Sequence, residues 1–410
     1  MGTRRVVITG VGPVSAIGVG RDVFFGALAA GRCGIAPLRR FHLPKGAVPL
    51  AAEIVDFDVR EFLESDKTYL DRSSEFAFAA MSLAVEDADI DLKGMDRARV
   101  GLILGTGFGS LETMGLFFGD VISKGPRFAK PVLFPHAYPN TAISLIAIEY
   151  GLSGFHNCFA SGGISSSLAL AHAYEAIREG RADLVFAGGY ESLNPFLVAG
   201  YGMWGCLSRA QRVEDLVSPY DRRADGIVLG EGAGVVAVEE LSHAHSRGAP
   251  IYGEICGCGI ASGAGHADGP RAGGVERACV VALERAGLPA EQIDYVSGNG
   301  NGSPDGDRHE TAGLTRALGP SAGRPTVGSV KALFGETLGA AGALQFIAAI
   351  GAMRGGTIPA MPNMLAPLSG LPLRFVGKES IQTEIRTVLL SSVDAGSGAV
   401  ALIVGRGREV

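Results

Sequence analysis

The decapeptide Phe159-Ala160-Ser161-Gly162-Gly163-Ile164-Ser165-Ser166-Ser167-Leu168 turns the chain from an extended run into a helix. Its two glycines suit a tight strand-to-helix turn, and Ser165, Ser166 and Ser167 can cap the free amides at the helix start. Apolar residues then recur at helical spacing from Ser166 to Gly180, where Arg178-Glu179-Gly180 supplies a basic last turn and a terminating glycine. Asp183 to Ala187 follow as a buried strand. Strand, glycine turn, helix and strand form one unit of α/β structure, and a chain built of such units is layered.

The same vocabulary extends outward in both directions. Val6 to Thr9, Val100 to Leu104 and Gly234 to Val238 read as buried strands, as do Asp294 to Ser297, Thr326 to Gly328, Val388 to Ser392 and Ala399 to Val404. Glu276 to Ala286 is a second helix, closed by Gly287 and Pro289, and Gly339 to Met353 is apolar nearly all round, which predicts a helix deep in the fold. The alternation predicts a mixed sheet covered by helices. Residues 1–250 and 251–410 repeat the pattern with little direct sequence in common, so they read as two duplicated halves. The loosest stretch runs from Gly263 to Gly274.

Composition excludes several functions. Apolar content of 47% across 410 residues fits a core-rich folded protein, and charged content of 19% is low enough that part of the surface should be uncharged or covered by a partner. A net charge of −6 without a basic block argues against nucleic acid. Met1-Gly2-Thr3-Arg4-Arg5 leads into a strand, so no signal peptide is expected. The longest apolar stretch, Leu344 to Met353, is too short and interrupted to cross a bilayer. The six cysteines show neither disulfide nor metal spacing, so a reduced, cytoplasmic setting is expected, with Cys256-Gly257-Cys258 as small core filler. Nothing in the pattern asks for a cofactor or a metal.

Five segments, in order, resemble the β-ketoacyl synthase family across essentially the whole chain. They are Val6-Val7-Ile8-Thr9-Gly10-Val11-Gly12, then Gly105-Thr106-Gly107-Phe108-Gly109, then Ala182 to Gly189 with Glu191, then Ser218-Pro219-Tyr220-Asp221, and Asp225 to Gly234. The resemblance implies a thiolase-like fold of two similar halves in a five-layer α-β-α-β-α arrangement, and a dimer. It also implies a chemistry: a cysteine thiolate at a helix N-terminus carries an acyl chain, two histidines assist decarboxylation of a malonyl unit on an acyl carrier protein, and a lysine supports one histidine. Backbone amides of the cysteine and of a phenylalanine loop bind the developing oxyanion.

Carried over position by position, those groups are missing. Counting back from Gly180 puts the cysteine at Gly163, or at Ile164 with a slip of one. The first histidine's motif is Asn299-Gly300-Asn301-Gly302-Ser303-Pro304, with Asn299 in its place. The second's is Lys331-Ala332-Leu333-Phe334-Gly335-Glu336, where Glu336 replaces the histidine and Lys331 remains. The late glycine-phenylalanine loop is Asp394-Ala395-Gly396-Ser397, with Ala395 at the aromatic position. Asparagine donates a hydrogen bond but shuttles no proton, and a glutamate repels an enolate, so Lys331 and Glu336 read as a structural ion pair.

Other nucleophiles fare poorly. Cys158 should sit on the strand before the turn. A serine at the helix tip would need a base, and His172 lies too far along the same helix; His136, His156 and His309 fall outside the motif positions. Chains of this kind resemble the chain-length factor, or β-subunit, of type II polyketide synthases. The resemblance implies a heterodimer with an active ketosynthase that engages the acyl carrier protein, this chain walling a tunnel that limits chain length. Phe108, Leu111, Thr113, Met114, Leu116 and Phe117 are the tunnel candidates, and equally candidates for ordinary dimer core. The aromatic-polyketide members carry glutamine where this chain has Gly163, which points to another branch, such as a polyene-type product. Two alternatives stay open: a homodimeric homologue with altered acyl-transfer or hydrolytic chemistry, and a non-catalytic protein that binds acyl carrier protein without a synthase.

Overall fold

A computed structural model describes residues 4–41, 50–67, 69–263 and 270–407; residues 264–269 of the stretch expected to be loose, and Met1 to Thr3, lie outside the described residues. In the first half the main strands are β1 (Val6–Ser15), β2 (Val100–Gly105), β3 (His156–Phe159), β4 (Leu184–Glu191) and β5 (Gly232–Glu240). In the second they are β6 (Gly253–Ser262), β7 (Tyr295–Ser297), β8 (Thr326–Gly328), β9 (Thr387–Val393) and β10 (Gly398–Gly405). Hydrogen bonding orders them β8-β7-β9-β10-β6-β1-β5-β4-β2-β3, with the short strand Arg374–Phe375 beyond β8 and Gly18–Val19 paired to β1.

Numbered within each half, both halves have the order 3-2-4-5-1 from the outer strand inward. In both, strands 3, 2 and 4 run parallel, while 4 with 5 and 5 with 1 are antiparallel. The halves join where β1 pairs antiparallel with β6. The duplication expected from the sequence is therefore real at the level of topology.

Five helices set the layers. Helix α1 (Arg72–Asp87) covers β1 and β5 on one outer face, and α5 (Pro270–Ala286) covers β6 and β10 on the other. Between the two halves of the sheet lie α3 (Ser165–Arg178) and α7 (Ala341–Gly355), each packed on strands of both halves, while α6 (Pro304–Leu318) flanks α5. Two more, α2 (Leu111–Lys124) and α4 (Pro195–Trp204), pack on each other in the first half. Twelve of the fifteen residues of α7 are buried, as its all-round apolar sequence predicts. The wider segment Leu338–Gly355 is long and apolar enough to cross a bilayer, contrary to the expectation from the shorter stretch, but 83% of it is buried in the fold, which makes it a core helix.

Glycine explains how outer helices sit so close. A Cβ at Gly12 of β1 would lie 2.0 Å from the Ala80 carbonyl oxygen of α1, and one at Gly259 of β6 would lie 2.0 Å from that of Ala278 on α5. The two halves use the same device at matching places, a glycine strand under an alanine helix, though their sequences differ. In β6 the register shifts between Ile255 and Gly257, so a bulge falls at Cys256 and breaks the alternation that would put Cys256 and Cys258 on one face.

Candidate functional site

Four loops converge where strands end. They are the turn Gly162–Ile164 before α3, the loop from β7 to α6, the segment Lys331 to Leu338 after β8, and the hairpin tip from β9 to β10. Together they wall a cavity of about 410 Å³ whose lining includes Gly163, Asn299, Glu336 and Ala395. Residues far apart in the chain thus meet, because both halves present their loops at the same end of the sheet, the usual place for ligands in α/β folds.

Lys331 stays behind the wall. Its Nζ donates to Asn299 Oδ1 at 2.8 Å and to Glu336 Oε2 at 2.7 Å, and the two charged side chains are only 3% and 5% exposed. Glu336 also accepts from Asn301 Nδ2 at 3.1 Å and from the Leu338 amide at 2.9 Å. The ammonium is thus spent on holding two neighbours in place. The Asn299 loop is clamped from below as well. Glu310 accepts from the Asn299 and Gly300 amides, the Tyr220 hydroxyl accepts from Gly300 and donates to Glu310, and Asp307 accepts from the amides of Tyr220, Asn301 and Gly302. Burial pushes the Asp307 carboxyl up to about 7.

Gly163 occupies the turn at the N-terminal end of α3, where backbone amides favour an anion. That position is already taken. Asp394 Oδ1 accepts from the Gly163 amide at 3.3 Å, and its Oδ2 accepts from the Gly396 amide at 2.7 Å, so the carboxylate is held from both sides. No side chain fills the space at Gly163 itself: a Cβ there would meet nothing nearer than the Val393 carbonyl oxygen at 3.7 Å.

The rival nucleophiles are placed as follows. Cys158 lies on β3, its Sγ 3.5 Å from the Pro139 carbonyl oxygen, with burial raising the thiol to about 11. Ser165 Oγ donates to carbonyl oxygens of Thr106 and Gly162 and accepts from the Ser161 amide; Ser166 Oγ accepts from the Ala343 amide, and Ser167 pairs with Ser392. All three serve packing between α3 and its neighbours. His172 is exposed against the Phe159 ring, and His136 meets Tyr69 edge-on. His309, which falls outside the motifs, is on α6 and also lines the cavity.

The six tunnel candidates sit beside the cavity; none of them is in its lining. Phe108 precedes α2, is 41% exposed, and meets Tyr201 edge-on at 6.4 Å. Its amide, with those of Gly107 and Gly339, donates to Glu191, a fully buried carboxyl that burial raises to about 8. Leu111 packs against the small core of Leu193, Leu197 and Leu338. Thr113 is buried, its hydroxyl bonded to Asp71 and Tyr69, so it anchors the helix. Met114 is half-buried, while Leu116 and the Phe117 edge turn outward. There they join an exposed apolar face: Phe117 contacts Phe118 and Phe134, Phe134 contacts Tyr138, and Ile122, Phe128 and Val132 add to it.

Sequence reasoning missed Asp394, Cys206, and Tyr201 and Trp204 of α4 as lining residues. One signal was available: the chain's single tryptophan stands in Gly202-Met203-Trp204-Gly205, and it is 61% exposed. Large exposed aromatics next to a cavity mark recognition surfaces.

Residues 3–244 match the family description "Beta-ketoacyl synthase, N-terminal domain", and residues 252–365 match "Beta-ketoacyl synthase, C-terminal domain". The chain is 34% identical to the 3-oxoacyl-[acyl-carrier-protein] synthase 2 of Coxiella burnetii, over 99% of both chains. Among solved structures it is similar to the ishigamide ketosynthase/chain length factor, with TM-score 0.93, 28% identity, and coverage of 99% of this chain and 100% of that one. It is also similar to AntDE:AntF, a type II polyketide synthase acyl-carrier protein in complex with its ketosynthase bound to the hexaketide. That match has TM-score 0.89 and 26% identity, covering 99% of this chain and 100% of that one.

Proposed function

The chain belongs to the β-ketoacyl synthase family, and on that premise we propose that it is a chain-length factor of a type II polyketide synthase. In this reading it is the non-catalytic β-subunit of a heterodimer. It pairs in the cytoplasm with a cysteine-bearing ketosynthase, meets acyl carrier protein through that complex, and shapes the space into which the product grows. Its two halves meet near residue 250.

One observation carries the reading. The cavity formed by the family's four motif loops contains Gly163, Asn299, Glu336 and Ala395, while Lys331 is bound into a buried ion pair. No thiol stands at the helix tip, and neither asparagine nor a lysine-paired glutamate does the work of an imidazole pair. Because the relative from Coxiella is named a synthase, family membership alone does not assign a role; the composition of the cavity is what supports the non-catalytic one. The exposed aromatic face around α2 supports the need for a partner, since a contiguous apolar surface of this kind is seldom left in water. The similar AntDE:AntF assembly includes an acyl-carrier protein beside its ketosynthase, which supports the third component.

The test is the native mass of this chain co-expressed with a cysteine-bearing ketosynthase. A stable one-to-one complex, with this chain poorly soluble alone, is the expected result. A homodimer that ignores the synthase would refute it and favour the alternatives of altered acyl chemistry or carrier binding alone.

A further inference from the structure

We infer that Asp394 makes the cavity discriminate by charge, admitting an uncharged acyl thioester and excluding one that carries a free carboxylate, as a malonyl unit does. The inference deepens the reading above and rests on it for the acyl class of the ligand.

An anion entering the cavity would seek the amide at the helix tip. The Gly163 amide is at the start of a fourteen-residue helix and faces the cavity, and Asp394 Oδ1 already occupies it. A ligand carboxylate or oxyanion seeking that amide would come within a few ångströms of a like charge. Asp394 cannot easily swing away, because its other oxygen is bound to the Gly396 amide and the hairpin closes on itself through the Asp394 amide to Gly398 and the Ser397 amide to Asp394.

Among the described lining residues there is no lysine or arginine. Lys331 is buried behind the wall and already neutralises Glu336. Among the described residues, Asp394 has no ion-pair partner, whereas Asp305, the other unburied carboxylate of the lining, lies 3.9 Å from Arg308 Nη1. Of the other polar lining groups, Asn299, Asn301, Ser303 and Tyr201 are neutral and able to hydrogen-bond ester and amide groups, Glu336 is paired with Lys331, and His309 is the one imidazole. Like charges this close, in a partly desolvated cleft, separate affinities by roughly tenfold or more.

The experiment uses the full-length chain, alone and in its complex, with the N-acetylcysteamine thioesters of acetate and malonate as probes and ligand-observed NMR for affinity. The acetyl thioester should bind at least about tenfold more tightly than the malonyl one. Asp394→Asn removes the charge and keeps one of the two amide hydrogen bonds, since its Oδ1 accepts while its Nδ2 only donates, and should shrink that ratio by threefold or more; Asp394→Ser, with a single hydroxyl, should do the same. Equal binding of both probes by the unaltered chain overturns the inference. So does a ratio unchanged in both variants, or the absence of binding by either probe. The outcomes separate from those of the subunit reading: a one-to-one complex without charge discrimination leaves that reading intact, and a homodimer that still discriminates leaves only the charge filter.

Discussion

Removing Glu336 should destabilise the whole protein, because it would strand a buried ammonium. In the folded chain Lys331 Nζ has two acceptors, Glu336 Oε2 and Asn299 Oδ1, and the lysine is buried away from water. Glu336→Ala leaves it with one neutral acceptor and also orphans the Asn301 side-chain amide and the Leu338 amide. Breaking a buried pair from one side costs about 3–5 kcal/mol. An unfolding entropy of about 2.1 cal/mol/K per residue, over 410 residues, is roughly 0.9 kcal/mol/K, so the melting temperature should fall by about 3–6 °C. The double variant Lys331→Met with Glu336→Leu removes both charges and fills the space with apolar groups; it should recover most of that loss. Calorimetry on the unaltered chain, Glu336→Ala, the singles Lys331→Met and Glu336→Leu, and their double variant measures the coupling. If Glu336→Ala and the double variant melt together, or if the single change moves the melting temperature by less than about 1 °C, then the pair does not hold the wall, and the account of Lys331 as a structural residue is wrong.

Two further predictions come from neighbouring positions. Because a Cβ at Gly163 has room, Gly163→Phe should fold normally, project into the cavity, and shorten or abolish the product of the complex; a product of unchanged mass would remove Gly163 from any role in chain length. Glu191 gives a pH dependence. Its folded carboxyl is raised to about 8, against about 4.3 when unfolded, so between those values the folded state holds a proton that the unfolded state has lost. The stability it contributes is therefore complete below about pH 4.3 and declines as pH rises toward 8. The melting-temperature gap between the unaltered chain and Glu191→Ala should be larger at about pH 5 than at about pH 8.5; a gap that widens with pH would mean that the three amides hold the ionised form.

Much of the fold was legible because its strands are apolar runs between glycine turns. All eight strands read from sequence are present, most of them within a residue or two of the expected ends, with β1 lengthened to ten residues. What escaped detection was informative in physical terms. Strand β6 is glycine- and cysteine-rich, and its glycines serve the close approach of α5 instead of a hydrophobic pattern. Strand β3, His156-Asn157-Cys158-Phe159, is too short and polar to be recognised alone, and it forms at the sheet edge because β2 pairs with it. The motif positions were legible because each is tied to a fixed turn. The direction of the Asp394 carboxylate was not, since it depends on two loops from different halves meeting. Nor could spacing on α2 separate the residues that anchor it, such as Thr113, from those that face outward, such as Leu116; both are compatible with one apolar helix.

The internal bonding of the cavity bears on the proposed role, in which the motif positions carry no nucleophile. Asn299, Lys331, Glu336 and Asp394 each find their partners within the chain, so the wall needs no ligand to stay in place. A site that must bind and release an intermediate keeps donors unspent for the transition state; here the amide at the helix tip and the buried lysine are already engaged. What remains is a preformed space with mostly neutral polar walls, the carboxylate of Asp394 at its helix tip, and an exposed aromatic face nearby. A surface of that kind is able to limit what enters by its volume, and under the proposed function bond making falls to the subunit that covers the face. That arrangement is what the proposed function requires of this chain, and a ketosynthase partner bearing the thiolate and imidazoles is what the co-expression test looks for.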